Sequence, residues 1–164
     1  MTTSYLDVFT TNLNQVIAAD PTEYGAFGRD VELGRLVRIL NQHKKNSAAV
    51  LGEAGVGKTA LVEELVKRIL TNDASLHGTL VNREVHSLEL ASLMSNTTGN
   101  NFAANLHHLV AEVKANPQIL LFIDEMHELI GTGAEGSSGM DAANILKPAI
   151  GRGEIQVIGA TTNH

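Results

Sequence analysis

The chain has 164 residues, of which 43% are hydrophobic and 18% charged, a composition typical of one folded domain with its own core. Its 12 basic and 18 acidic side chains give a net charge of −6, which argues against a protein that binds nucleic acid through a basic surface. The sequence contains no cysteine, so disulfides and thiolate metal sites are excluded, and a reducing, cytoplasmic location fits best. The longest aliphatic or aromatic run, Ile119–Ile123, is far too short to cross a bilayer, so no membrane partner is expected.

Helical and strand patterns alternate along most of the chain. Residues 1–29 show no clear pattern, and we expect Asp30 to cap the first regular helix. The spacing of apolar residues then predicts a helix that ends in the polar residues 44–46, a strand at 47–51, a helix around 62–69, a strand at 84–90 and a helix around 106–113. These are followed by a strand at 118–123, a flexible loop at 131–139, a helix at 140–150 that is kinked or ended near Pro148, and a strand at 155–160. This alternation indicates an α/β fold with three layers, in which helices cover both faces of a mostly parallel sheet.

One glycine-rich segment carries a complete phosphate-binding motif. Residues 52–59 read GEAGVGKT and match G-x-x-x-x-G-K-[ST] between a predicted strand and a predicted helix. Backbone N–H groups and the helix N-terminus would face phosphate oxygens, Lys58 would reach the β- and γ-phosphates of ATP, and the Thr59 hydroxyl would bind Mg²⁺. A plain strand-to-helix turn with an exposed lysine is the alternative, which the motif's context disfavours. The candidate nucleotide-binding residues here are Glu53, Ala54, Gly55, Val56, Gly57, Lys58, Thr59 and Ala60.

Two carboxylates follow the most apolar strand. Asp124 and Glu125 come directly after Ile119–Ile123. Asp124 would help to hold Mg²⁺, and Glu125 could polarise the water that attacks the γ-phosphate. Taken alone, the pair could equally be a solvated acidic turn. Because the same chain carries a full phosphate loop, the catalytic interpretation is preferred.

The chain resembles the AAA+ ATPases, and more narrowly the first nucleotide-binding domain of the Clp-type ring unfoldases and disaggregases. The resemblance extends from about residue 27 to residue 162. It rests on the strings FGRDVEL (27–33), LGEAGVGKTALVEELVKRI (51–69), LLFIDEMHELIGTG (120–133), MDAANILKPAIGRGE (140–154) and VIGATT (157–162). It implies a P-loop fold with a lead-in segment at 1–26 and the large AAA+ subdomain at 27–164.

The resemblance also implies roles that spacing does not show. Ala26, Phe27, Gly28 and Arg29 fall where the family lines its adenine pocket. Thr162 matches the polar sensor that contacts the γ-phosphate or the attacking water. The implied function is ATP hydrolysis coupled to unfolding of polypeptide substrates by a homo-hexamer, with a peptidase partner left open. The loops around Thr98 and at 131–139 would face the central pore of that ring.

Two departures from the family pattern qualify this expectation. Thr98 stands where the family usually has an aromatic residue that grips the substrate, so threading by this domain is in doubt. The arginine finger, a fifth strand, the second sensor and the helical lid would all lie beyond residue 164, so we expect an isolated fragment to expose a sheet edge beside Leu51 and to hydrolyse ATP slowly. A nucleotide-switched scaffold without effective hydrolysis therefore remains as the alternative function. The seven histidines lack a metal-ligand spacing, so no structural metal site is expected.

Overall fold

The computed structural model describes residues 4–26, 28–52, 57–76, 78–95, 101–130 and 137–162. Within these ranges helices and strands alternate as the sequence predicts. The helices are α1 (Tyr5–Phe9), α2 (Leu13–Ala19), α3 (Asp30–Leu40), α4 (Lys58–Leu70), α5 (Leu90–Ser95), α6 (Asn101–Ala115), α7 (Met126–Ile130) and α8 (Ser137–Gly151), with 3₁₀ turns at Pro21–Glu23 and Gly78–Leu80. The strands are β1 (Thr10–Asn12), β2 (Ala48–Gly52), β3 (Glu84–Leu88), β4 (Ile119–Ile123) and β5 (Val157–Thr162).

The strands form one mixed sheet in the order β1-β3-β4-β5-β2. The pairs β3–β4, β4–β5 and β5–β2 are parallel, whereas β1 runs antiparallel to β3. The predicted α/β fold with a mostly parallel sheet is therefore confirmed. In the described ranges, β2 is an outermost strand of the sheet. The sequence predicts an exposed sheet edge at this strand, beside Leu51.

Helices cover both faces of the sheet and create two separate cores. One core packs α2, α3 and α4 on one face, and the other packs α1, α6 and α8 on the opposite face. All five residues of β4 are buried, and they alternate between the two cores: Leu120 and Phe122 face one, and Ile119, Leu121 and Ile123 face the other. A continuous apolar run is what a strand covered on both faces requires. Every helix in the described part of the chain is too short or too polar to span a bilayer.

The N-terminal segment, for which the sequence predicts no regular elements, folds onto the sheet. Ser4 and Asn12 cap α1 and α2, since their side-chain oxygens accept hydrogen bonds from Asp7 N–H and Gln15 N–H. The strand β1 between them hydrogen-bonds to β3, and Ile17 of α2 is fully buried. Helices of five and seven residues are too short to show a periodic pattern, which is why sequence reasoning missed them.

Several helices and strands begin or end at other residues than the sequence predicts. Asp30 is the first residue of α3 and not its cap, because Arg29 occupies the N-cap position without a side-chain hydrogen bond. The strand β3 ends at Leu88, and the last strand runs over 157–162 and not 155–160. Residues 137–139, predicted as loop, open α8, and this helix continues through Pro148 to Gly151. Pro148 lies inside α8, three residues before its end, where it removes the hydrogen bond from its own backbone nitrogen to the carbonyl four residues earlier.

Candidate functional site

The carboxyl ends of three parallel strands bring the predicted site residues to one edge of the sheet. Gly52 at the end of β2 lies opposite Thr162 at the end of β5, and Ile123 at the end of β4 lies opposite Gly159. The segments that follow these strand ends carry the phosphate motif and the acidic pair. Open α/β folds bind their ligands at the carboxyl ends of the strands.

Lys58 is the first residue of α4, and its ammonium is held at the strand ends. The side chain is 5% exposed, and its Nζ donates to Gly52 O at 3.3 Å and to Thr161 O at 3.0 Å. The backbone carbonyls of two neighbouring strands therefore hold a cation at the start of a helix. A buried positive charge beside a helix N-terminus favours binding of an anion.

Three further residues of the phosphate motif are described next to Lys58 in the chain. Gly57 adopts a left-handed conformation with φ of +85°, which strains residues that carry a Cβ and favours glycine, and the Arg29 guanidinium lies next to it. Thr59 is exposed in the first turn of α4, and Ala60 behind it is half-buried. Residues 53–56, also predicted to bind nucleotide, lie outside the described residues.

The acidic pair occupies a tight turn between β4 and α7. Asp124 is exposed, and its Oδ1 accepts a hydrogen bond from Glu125 N–H at 2.9 Å. Glu125 has a φ of +51°, a left-handed conformation that costs a residue with a Cβ about 1–2 kcal/mol. Strain of this kind persists where the surrounding structure enforces it, and such positions cluster at functional sites. Hydroxyl and carboxylate oxygens such as those of Thr59 and Asp124 are the ligand type that Mg²⁺ prefers.

His127 connects two of the predicted catalytic residues. Its Nε2 lies 3.1 Å from Glu125 Oε2 and 3.4 Å from Thr162 Oγ1. Gly159 permits this approach, because its missing side chain leaves room for Met126 of α7 against β5. The structure thus brings Glu125 and Thr162 to one place through a histidine that the sequence did not single out for this role.

The segment expected to line an adenine pocket lies beside the phosphate motif. Ala26 is half-buried, Gly28 is exposed with a φ of +70°, and Arg29 forms an ion pair with Glu32 at 2.5 Å. The Arg29 guanidinium also approaches Gly57, which joins this segment to the start of α4. Phe27 lies outside the described residues, as do Thr98 and residues 131–136 of the predicted pore loops.

Sequence reasoning missed the side chains that connect these parts. His127 is one of the seven histidines that lack a metal-ligand spacing, and no site motif assigns a role to Glu64 of α4. The position of His127 two residues after Glu125 was its one available signal, whereas Glu64 carries none beyond helical spacing.

Comparisons with known proteins agree with this geometry. Residues 48–164 match the family described as ATPase family associated with various cellular activities (AAA). The ATP-binding subunit ClpE of the Clp protease from Bacillus subtilis is 49% identical over 137 residues, which cover 82% of this chain and 19% of that protein. Chaperone protein ClpB from Mycoplasma genitalium is 42% identical over 162 residues, which cover 97% of this chain and 22% of that protein.

Solved structures of Hsp104 share the fold. A closed-state reconstruction of Hsp104 with ATPγS and FITC casein has a TM-score of 0.82 at 34% identity and covers 98% of this chain and 27% of that chain. The Hsp104–casein complex of S. cerevisiae in its extended conformation gives 0.80 at the same identity. The chain spans about a fifth of the length of the curated relatives it matches. The resemblance found in its sequence is confirmed, and the chain belongs to the AAA family of ATPases, in its Clp-type branch.

Proposed function

We propose that the chain is the ATP-binding and ATP-hydrolysing module of a Clp-type protein unfoldase or disaggregase. The observation that carries this proposal is the buried Lys58 ammonium, held by Gly52 O and Thr161 O at the edge where the strands end. A triphosphate at this edge would replace the two carbonyls as partner of the ammonium. The exchange gives the ammonium an oppositely charged partner in place of two neutral carbonyl oxygens, which favours binding.

The neighbouring residues take the remaining roles in hydrolysis. Glu125 acts as the general base that takes a proton from the attacking water, and its strained turn directs the carboxylate. Thr162 contacts the γ-phosphate or that water, and His127 keeps the Glu125 and Thr162 side chains in reach of each other. Residues 26–29 contact the adenine base.

Mg²⁺ would be held by the Thr59 hydroxyl and, directly or through water, by the Asp124 carboxylate. Both side chains are exposed, and both lie at the strand-end edge. When bound, the ion neutralises charge on the phosphate oxygens and makes the γ-phosphate more reactive.

We further propose that the module works in a homo-hexameric ring on polypeptide substrates. Support comes from relatives named as a chaperone and as the ATP-binding subunit of a protease, and from Hsp104 structures that contain casein. One version of this proposal adds a peptidase partner, because the ClpE relatives are named as ATP-binding subunits of a protease.

A second candidate function is a nucleotide-switched scaffold that binds ATP without effective hydrolysis or threading. The observation in its favour is Thr98, which replaces the aromatic residue expected in the first pore loop. The two candidates differ in one measurable property, which is turnover of bound ATP.

Single-turnover hydrolysis of radiolabelled ATP, with protein in excess, separates the two. We expect slow but measurable turnover, slowed at least about a hundredfold in Glu125→Gln with ATP affinity kept, which is the usual size of a lost general base. Glu128→Gln, which changes an exposed glutamate of α7 within 4.8 Å of the Glu125 carboxylate, is the matched control and should hydrolyse at the parent rate. Tight ATP binding without any turnover would favour the scaffold, and a Glu125→Gln variant at the parent rate would remove Glu125 as the base.

A further inference from the structure

Three side chains of α4 hold the backbone segment that leads into the proposed adenine pocket. Lys67 Nζ donates to Tyr24 O at 3.1 Å, and Ala26 N–H donates to Glu64 Oε1 at 3.2 Å. The Glu63 carboxylate accepts a hydrogen bond from the Gly25 backbone. Three consecutive residues are therefore attached to one helix through their main chain.

Glu64 is the central member of this group because both of its oxygens are engaged. Its Oε1 accepts from Ala26, while its Oε2 accepts from Arg68 Nε at 3.2 Å. Arg68 in turn pairs with Asp30 at the start of α3 at 2.8 Å. The Glu64 side chain is 17% exposed, so the hydrogen bond to Ala26 is largely protected from competing water.

The backbone of this segment is shaped for close contact with α4. Gly25 has a φ of +117°, and a Cβ there would lie 2.7 Å from Glu64 Oε1 and 3.0 Å from Lys67 Cδ. A side chain there would displace the Glu64 carboxylate or the Lys67 side chain that hold the segment, and most L residues avoid this conformation. Glycine thus allows Ala26 to reach Glu64.

The same helix begins at the phosphate motif. Glu64 lies six residues after Lys58, which is about 9 Å along the helix axis. A helix of 13 residues that carries the proposed phosphate-binding ammonium at its first position therefore also holds the main chain at Tyr24 and Ala26. The distance between the sites for base and triphosphate depends on this attachment.

We propose that Glu64 is a positioning residue for nucleotide recognition: through its hydrogen bond to Ala26 it holds the adenine-binding segment at a fixed distance from the phosphate motif. This inference rests on the proposed function and adds a role for a residue that touches neither base nor phosphate. It predicts that Glu64 contributes to the affinity for ATP and not to the affinity for a ligand without a base.

Calorimetric titrations with ATP and with inorganic tripolyphosphate test this selectivity. We expect Glu64→Ala to weaken ATP binding about tenfold, the usual effect of losing a hydrogen bond to a charged group, and to leave tripolyphosphate affinity unchanged. Glu64→Gln keeps an oxygen that can accept from Ala26 and should restore most of the ATP affinity. Glu154→Ala removes an exposed ion pair with Lys114 far from this segment and is the matched control.

A second variant covers the case in which Glu64→Ala folds poorly. Lys67→Met removes the contact with Tyr24 O and should likewise weaken ATP binding more than tripolyphosphate binding. Equal losses for both ligands, or no loss for ATP, would overturn the role of Glu64 while leaving the proposed function intact. A parent chain that binds neither ligand would instead refute the proposed function, and this inference with it.

Discussion

The central strand β4 and the edge strand β2 both deliver functional residues, but they are held in place by different forces. Every residue of β4 is buried, between two cores. In β2 only Ala48 and Val50 are buried, and Leu51 is 65% exposed. Burial on two faces therefore positions Asp124 and Glu125, whereas Lys58 beside β2 is held by hydrogen bonds to Gly52 O and Thr161 O.

Stability and ligand binding are therefore separable at the two strands. Changes in the middle of β4 should act on the free energy of unfolding. Changes next to β2 should act on nucleotide affinity with small effects on stability.

The largest effect is expected for Phe122→Ala in β4. Phe122 is 2% exposed, and its removal should lower the free energy of unfolding by about 3–5 kcal/mol through lost burial and the resulting cavity. Leu51→Ala in β2 is the matched control and should change it by less than about 0.5 kcal/mol. Urea titration followed by circular dichroism measures both, and similar losses at the two positions would contradict the comparison.

Lys58→Ala should reduce ATP affinity about a hundredfold, because a largely desolvated charge is removed from the ligand site. Calorimetry measures the loss, and the exposed Lys114→Ala serves as control for a change of net charge. Stability should fall by less than in Phe122→Ala, since Gly52 and Thr161 are half-buried and belong to neither core. ATP binding at the parent affinity would show that the phosphates bind elsewhere.

Arg83→Met should act on stability alone. Arg83 is 8% exposed and directly precedes β3, at the amino ends of the strands. It donates to Gln118 O at 3.0 Å and to Gln156 Oε1 at 2.8 Å. Burial lowers the pKa of Arg83, which reflects the cost of keeping its charge out of water. We expect a loss of about 1–3 kcal/mol in urea unfolding with unchanged ATP affinity. A loss of ATP affinity in the same variant would show that the amino ends of the strands are coupled to the nucleotide site at their carboxyl ends.

The smallest effect is expected for Glu63→Gln. Burial raises the pKa of Glu63, and the hydrogen bond from Gly25 opposes this only in part. The folded state therefore favours the protonated form, so Glu63 contributes stability below the ordinary pKa of a glutamate and loses it as the pH rises through the raised value. The variant should gain stability relative to the parent as the pH rises from about 4 to about 7, and a constant difference over that range would contradict this assignment.

The sequence predicts the long periodic parts of the fold and the chemistry of single motifs. The apolar spacing of α3 and α4 and the apolar run of β4 lead directly to the observed elements, because each buries a continuous face. The start of α8 was missed because serine and glycine at 137–139 are weak helix formers. Tertiary packing determines whether residues 137–139 are helical, and a local sequence pattern does not show tertiary packing.

The candidate site divides in the same way. Lys58 and Asp124 follow from motifs, because their chemistry requires fixed neighbours in the chain. The contacts of His127 with Thr162 and of Glu64 with Ala26 join residues 35 and 38 positions apart, so they arise only from the fold. Residues with such roles carry no local signal.

The most direct test of the central claim is a structure of the chain with a non-hydrolysable ATP analogue and Mg²⁺. The phosphates should lie within hydrogen-bond distance of Lys58 Nζ, with the metal ion bound by the Thr59 hydroxyl and facing Asp124. A nucleotide bound elsewhere, with Lys58 still donating to Gly52 O and Thr161 O, would contradict the assignment of this edge as the nucleotide site.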